Sequence, residues 1–246
     1  MITNQESGTR IDEIAQDLFR ISTPVTAIPG GFTFNQFLVQ DDEPLLFHTG
    51  LRGLFPLVSE AIRSIMPLER LCHISFSHYE ADECGALNDF LKAAPNASPL
   101  CGQVGAMVSI GDIADRPPRA LDDGEVVSLG SHNVRWHATP HLPHGWDCGF
   151  LMEETTGTLL CGDLFTQGGA KHEPLTGNDI LEPSEAFRGN MDYFSNTRNA
   201  RSMIERLAAS NPTTLACMHG ASWQGDGAAM LRALGDCLCA TYSEAA

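Results

Sequence analysis

Between Leu71 and Gly85 the chain turns abruptly from an apolar run, Leu-Cys-His-Ile-Ser-Phe, into Ser77-His78-Tyr79-Glu80-Ala81-Asp82-Glu83-Cys84-Gly85, which sets four oxygen or nitrogen donors within six residues. The apolar run reads as a short buried strand, and Leu87, Phe90 and Leu91 recur at helical spacing between Asp82 and Ala93. The donors therefore fall on a strand-to-helix turn, a place where side chains are presented to a cleft. Alternation along such a turn aims His78 and Glu80 together while Asp82 points elsewhere, which suits two adjacent metal ions better than one. A plainer role also fits these residues, with Asp82 capping the helix and Glu83 complementing its dipole. Recurrence of ligands downstream decides between the two.

They recur at strand ends. Asn133 to Thr139 and Cys148 to Glu153 read as strands separated by His141-Leu142-Pro143-His144-Gly145-Trp146-Asp147, Thr158 to Cys161 leads into Gly162-Asp163, and Thr214 to Met218 delivers His219. Upstream, Leu18 to Thr23, Phe32 to Gln40 and Leu45 to His48 form an antiparallel opening, and Leu54 to Ile65 is a helix stopped by Pro67. The Gly-, Pro- and Ala-rich stretch from Pro95 to Asp123 supports no firm assignment. Ser184 to Phe194, Thr197 to Ala209 and Gly225 to Ala240 carry helical spacing. Two β-rich halves, each followed by helices and without a convincing linker, imply an α+β fold with one core over residues 1–246.

Composition excludes several classes. No apolar run approaches the length of a membrane span, and the first residues lack a basic-then-apolar leader, so a cytoplasmic protein is the default expectation. A formal charge of -16, from 31 acids against 15 bases, opposes binding to nucleic acid. Eight cysteines without a CxxC pair are expected to be reduced and mostly in the core.

The order and local context of these donors resemble the metallo-β-lactamase superfold, an αββα sandwich with a dinuclear site along one edge. Hydrolases of that superfold carry HxHxDH at the central turn. The pattern here, His78-x-Glu80-x-Asp82, is similar to the di-iron branch, comprising flavodiiron proteins and flavin-free oxygen-binding di-iron proteins. The resemblance implies that His78, Glu80 and His144 hold one iron, that Asp82 and His219 hold the other, and that Asp163 bridges them. His144 is preferred to His141 because His-Gly-Trp-Asp before a strand resembles the His-Trp-Pro-Asp of flavodiiron proteins. Glu83 departs from the family, which has histidine there, and is either an extra ligand or a neighbour of the site, as are His141 and Tyr79. The resemblance also implies O2 or NO as ligand, no FMN in this chain, no room before Ala246 for a flavodoxin-like domain, and an external reductant protein. Oligomerisation is compatible with all of this.

Carboxylates favour iron over redox-inert zinc, so Glu80 argues for redox chemistry. The second reading is a dinuclear hydrolase of thioesters, lactones or phosphoesters using zinc or manganese. Elsewhere, His48 is expected to support the site from behind, His73 and His137 to be satisfied strand residues, His172 to lie in a solvated loop, and Tyr79, Trp146 and Trp223 to pack.

Overall fold

The computed structural model describes residues 1–195 and 198–243, which form two seven-stranded sheets stacked face to face with helices outside them. The first sheet runs β1 (Arg10–Ala15), β2 (Leu18–Val25), β3 (Phe32–Val39), β4 (Leu45–Phe47), β5 (His73–Ser75), β6 (Ser98–Gly102) and β7 (Arg119–Leu121), in that spatial order. Its first four strands pair antiparallel and the rest parallel. The second sheet comprises β8 (Val126–Ser128), β9 (Asn133–Ala138), β10 (Gly149–Glu153), β11 (Thr158–Leu160), β12 (Leu175–Thr176), β13 (Thr214–Ala216) and β14 (Ser222–Gln224). Its order is β12-β14-β13-β11-β10-β9-β8, with β11 and β13 parallel at its centre.

Alternation along the strands builds the layers. Phe37, Val39, Leu45 and Phe47 point inward to meet Trp136, Leu151 and Leu160 of the other sheet, while Leu38, Leu46 and Ile74 point outward under the helices. Helix α1 (Phe55–Arg63) starts with proline in its first turn and buries Val58, Ala61 and Ile62, which share one face by their spacing of three and four. On the other side Met203, Ile204 and Leu207 of helix Ala200–Ala209 join Leu231, Leu234 and Leu238 of helix Gly227–Ser243 against the second sheet. Between the sheets, the Trp136 ring passes so close to Gly149 that a β-carbon there would sit 2.2 Å from the ring.

Several expectations are corrected. The helix expected from Asp82 to Ala93 is two pieces, α2 (Ala81–Cys84) and α3 (Leu87–Ala93), separated at Gly85-Ala86. Strands β1, β6, β7, β12 and β14 were not anticipated. The first carries apolar Ile11 and Ile14 among polar residues, and β6 and β7 lie in the stretch left open. The expected helix from Ser184 to Phe194 runs instead from Leu181–Asn190, and the strand expected to reach Met218 stops at Ala216. The expected start at Thr197 lies outside the described residues. Among the described residues no helix is long and apolar enough to cross a membrane.

Candidate metal centre

Every donor of the cluster follows a strand end. After β5 the chain passes through Phe76 and Ser77 to His78, Tyr79 and Glu80, and α2 then carries Asp82 and Glu83. Behind this turn His48, in the left-handed region at φ 66° after β4, fixes the backbone: its N–H donates to the Ser75 carbonyl at 2.8 Å. Its Nε2 accepts from the Ser77 N–H at 3.3 Å and meets Ser77 Oγ at 3.1 Å. Burial lowers the His48 pKa to about 3, so the ring is neutral and its Nε2 is an acceptor. Across the cleft, the Tyr79 N–H donates to Asp147 Oδ2 at 2.9 Å and ties this turn to the His144 loop.

The three imidazoles are locked in a common sense. His144 Nδ1 donates to the Tyr193 carbonyl at 2.8 Å, His219 Nδ1 donates to the Thr33 carbonyl at 2.8 Å, and His78 Nδ1 meets Ser77 Oγ at 3.0 Å. With the outer nitrogens so engaged, each Nε2 faces carboxylate oxygen. Both His78 and His144 place Nε2 2.9 Å from Glu80 Oε2. His219 places its own 3.3 Å from Asp163 Oδ1 and 3.5 Å from Asp82 Oδ2. Asp163, nearly buried, divides its oxygens between the two groups: Oδ2 lies 3.7 Å from His78 and 3.5 Å from His144, opposite the Oδ1 that faces His219.

Nitrogen and oxygen lone pairs converging in this way repel unless positive charge lies between them. Where protons alone supply it, the titrations shift accordingly. Glu80 is lowered to about 2 by hydrogen bonds from His144 and His78. Burial opposes the charging of His219, yet Asp163 and Asp82 raise it to about 9. Burial likewise pushes the Asp163 carboxyl upward, but His219, His78 and His144 draw it well below the carboxylate range. Divalent cations meet the same demand, and the donors are near enough to share them. One ligand atom from each of His78, Glu80, His144 and Asp163 lies within 4.8 Å of the others, as does one from each of Glu80, Asp82 and Glu83. The hard carboxylates and imidazoles present therefore fit a pair of first-row metal ions.

The structure gathers His78, Glu80, Asp82, His144, Asp163 and His219 in one place and adds Glu83, fully buried, to it. His141 stands apart, exposed, with its N–H on the Gly145 carbonyl, and the half-exposed Tyr79 side chain lines a neighbouring cleft with Arg52 and Ile113. Tyr79 and Trp146 were expected to pack and are instead 48% and 56% exposed, whereas Trp223 is buried. His73 meets Glu43 at 2.9 Å, and His172 bonds loop carbonyls. None of the eight cysteines is in a disulfide, and five are buried.

Over the cluster lies a cavity of about 120 Å³ that local sequence did not reveal. Its walls include Phe32, Phe187, Met191 and Tyr193. Phe32 stacks on His219 with centroids 4.3 Å apart, and Phe187 stacks on Phe32 at 5.6 Å. These residues come from β3 and from the region after Asp163, and they carry no motif that marks them.

Comparison with known proteins bears on the fold and the family. Rubredoxin-oxygen oxidoreductase of Megalodesulfovibrio gigas is 27% identical over 178 residues, which is 71% of this chain and 43% of that protein. Among solved structures, the rubredoxin oxygen:oxidoreductase from the anaerobe Desulfovibrio gigas superposes with a TM-score of 0.82 at 20% identity, covering 92% of this chain and 61% of that one. The flavodiiron protein from Giardia intestinalis gives 0.80 at 16% identity, covering 92% and 58%. The chain thus spans less than half the length of the curated relative it matches. The model of the family described as ODP family beta lactamase matches residues 32–220, and the chain belongs to that family.

Proposed function

We propose that this chain is a single domain that holds two iron ions and binds or reduces O2, with NO as a further ligand. His78, Glu80 and His144 would hold one ion and Asp82 and His219 the other, with Asp163 turning an oxygen toward each group. The observation that carries this reading is the set of three imidazoles whose outer nitrogens are engaged by Ser77, Tyr193 and Thr33, leaving each Nε2 against carboxylate oxygen. The carboxylate-rich donor set favours iron over zinc. When bound, ferrous ions supply electrons to O2.

The chain's own residues account for selectivity. A cavity of about 120 Å³ admits a diatomic molecule, whereas sites for larger ligands occupy roughly 300–1,000 Å³. Phe32 and Phe187 keep the His219 side apolar and restrict water. The Tyr193 carbonyl holds the His144 ring in place. Reduction of O2 to water takes four electrons, twice what a ferrous pair holds, so turnover draws on a separate reductant. The name of the rubredoxin-oxygen oxidoreductase is consistent with such a donor.

The test is anaerobic loading with ferrous iron, elemental analysis, and mixing with O2. About two irons per chain and a near-ultraviolet charge-transfer band are expected, with no hydrolysis of thioesters or lactones. Stoichiometric zinc together with chelator-sensitive hydrolysis would overturn the reading in favour of a hydrolase.

A further inference from the structure

Among the described residues Glu83 is the acid of the cluster least answered by positive charge. Its side chain is fully buried, and neither carboxylate oxygen has a hydrogen-bond partner. Among the described residues, the basic group in ion-pair contact with it is His78, whose Nε2 lies 3.8 Å from Glu83 Oε1. That nitrogen is already nearer to Glu80, at 2.9 Å. The Asp82 and Glu80 oxygens grouped with it lie within 4.8 Å, so three carboxylates converge where positive charge is needed between them.

The side chain is also held where it is. The Glu83 carbonyl accepts the Thr49 N–H at 2.7 Å and meets Thr49 Oγ1 at 3.3 Å, which pins this turn of α2 to the chain after β4. Successive residues of a helix point about 100° apart. Asp82 is thus directed toward His219 while Glu83 is directed toward His78, and the two carboxylates approach the cluster from different sides. A buried carboxylate in this position is stable as an anion only beside a cation.

We infer that Glu83 is itself a metal ligand of this centre, acting with the neighbouring Asp82 and Glu80 carboxylates, so that the centre carries four carboxylates. This rests on the dinuclear reading above. Four negative charges cancel two ferrous ions and leave two positive charges on the ferric pair, so Glu83 favours the oxidised form relative to a neutral donor at the same position.

Anaerobic titration of the metal-free protein with ferrous iron against a chromogenic chelator, followed by Mössbauer spectra of the iron-57 protein, tests this. Glu83→Gln keeps the shape and removes the charge. It is expected to weaken one of the two sites by more than about tenfold, since even the loss of an outer-shell partner costs roughly 10–100-fold in metal affinity. The other site, and the circular dichroism of the metal-free variant, should match the wild type. Glu83→His is expected to retain both irons at a higher reduction potential. Two irons of wild-type affinity in Glu83→Gln, or an unchanged potential in Glu83→His, would overturn the inference alone. A wild-type protein that takes up no iron would overturn it together with the dinuclear reading.

Discussion

Asp163 and His78 are both buried ligand candidates, yet the structure gives their removal different consequences. Asp163 turns one oxygen toward His219 and the other toward His78 and His144, whereas the His78 Nε2 faces the Glu80 side of the cluster. Loss of the Asp163 carboxylate should therefore empty both sites, and loss of the His78 imidazole mainly one. A ligand present at a thousand times its Kd stabilises the native state by about 4.1 kcal/mol, so two such irons contribute about 8 kcal/mol. For a chain of this size each kcal/mol moves Tm by roughly 2–4 °C. Ferrous iron should thus raise the wild-type Tm by about 16–32 °C, the His78→Ala Tm by about half as much, and the Asp163→Ala Tm hardly at all. Anaerobic calorimetry of each variant with and without iron makes the comparison within one protein, so effects of the substitution on the metal-free state cancel. Equal iron-dependent shifts in the two variants would refute the bridging role, and a wild-type Tm indifferent to iron would refute the centre.

Two further outcomes follow from the packing. His48 has a pKa lowered from 6.5 to about 3 by burial, so between those values the unfolded chain binds a proton that the native protein does not, and stability falls as pH drops below 6.5. His48→Asn should remove about 1.4 kcal/mol per pH unit of that slope, read by urea unfolding between about pH 6.5 and 5; parallel curves would show that His48 is not the group. Gly149→Ala places a methyl 2.2 Å from the buried Trp136 ring and should cost about 1–3 kcal/mol of stability in the same assay, a loss within about 0.5 kcal/mol being the contrary result.

The alternation of Phe37, Leu38 and Val39 and the helical spacing of Leu87, Phe90 and Leu91 act over a few residues, and for that reason the sandwich was legible along the chain. His78, Asp163 and His219 were legible because each lies three residues past a strand end, so local order already brings them to one edge. Tertiary structure decided what local order leaves free. His141 and His144 sit in one loop, and the Tyr193 carbonyl, 49 residues on, together with Glu80 holds His144 inward while His141 remains in solvent. The helix break at Gly85 and the burial of Glu83 depend on packing against the chain after β4, through the Thr49 contacts. Phe32, Phe187 and Tyr193 are apolar or aromatic residues of ordinary context, and they wall the cavity because β3 and the segment after Asp163 meet above the cluster. Strand periodicity and turn chemistry are short-range properties of the chain, whereas the enclosure of a charged cluster is set by surfaces brought together across the whole fold.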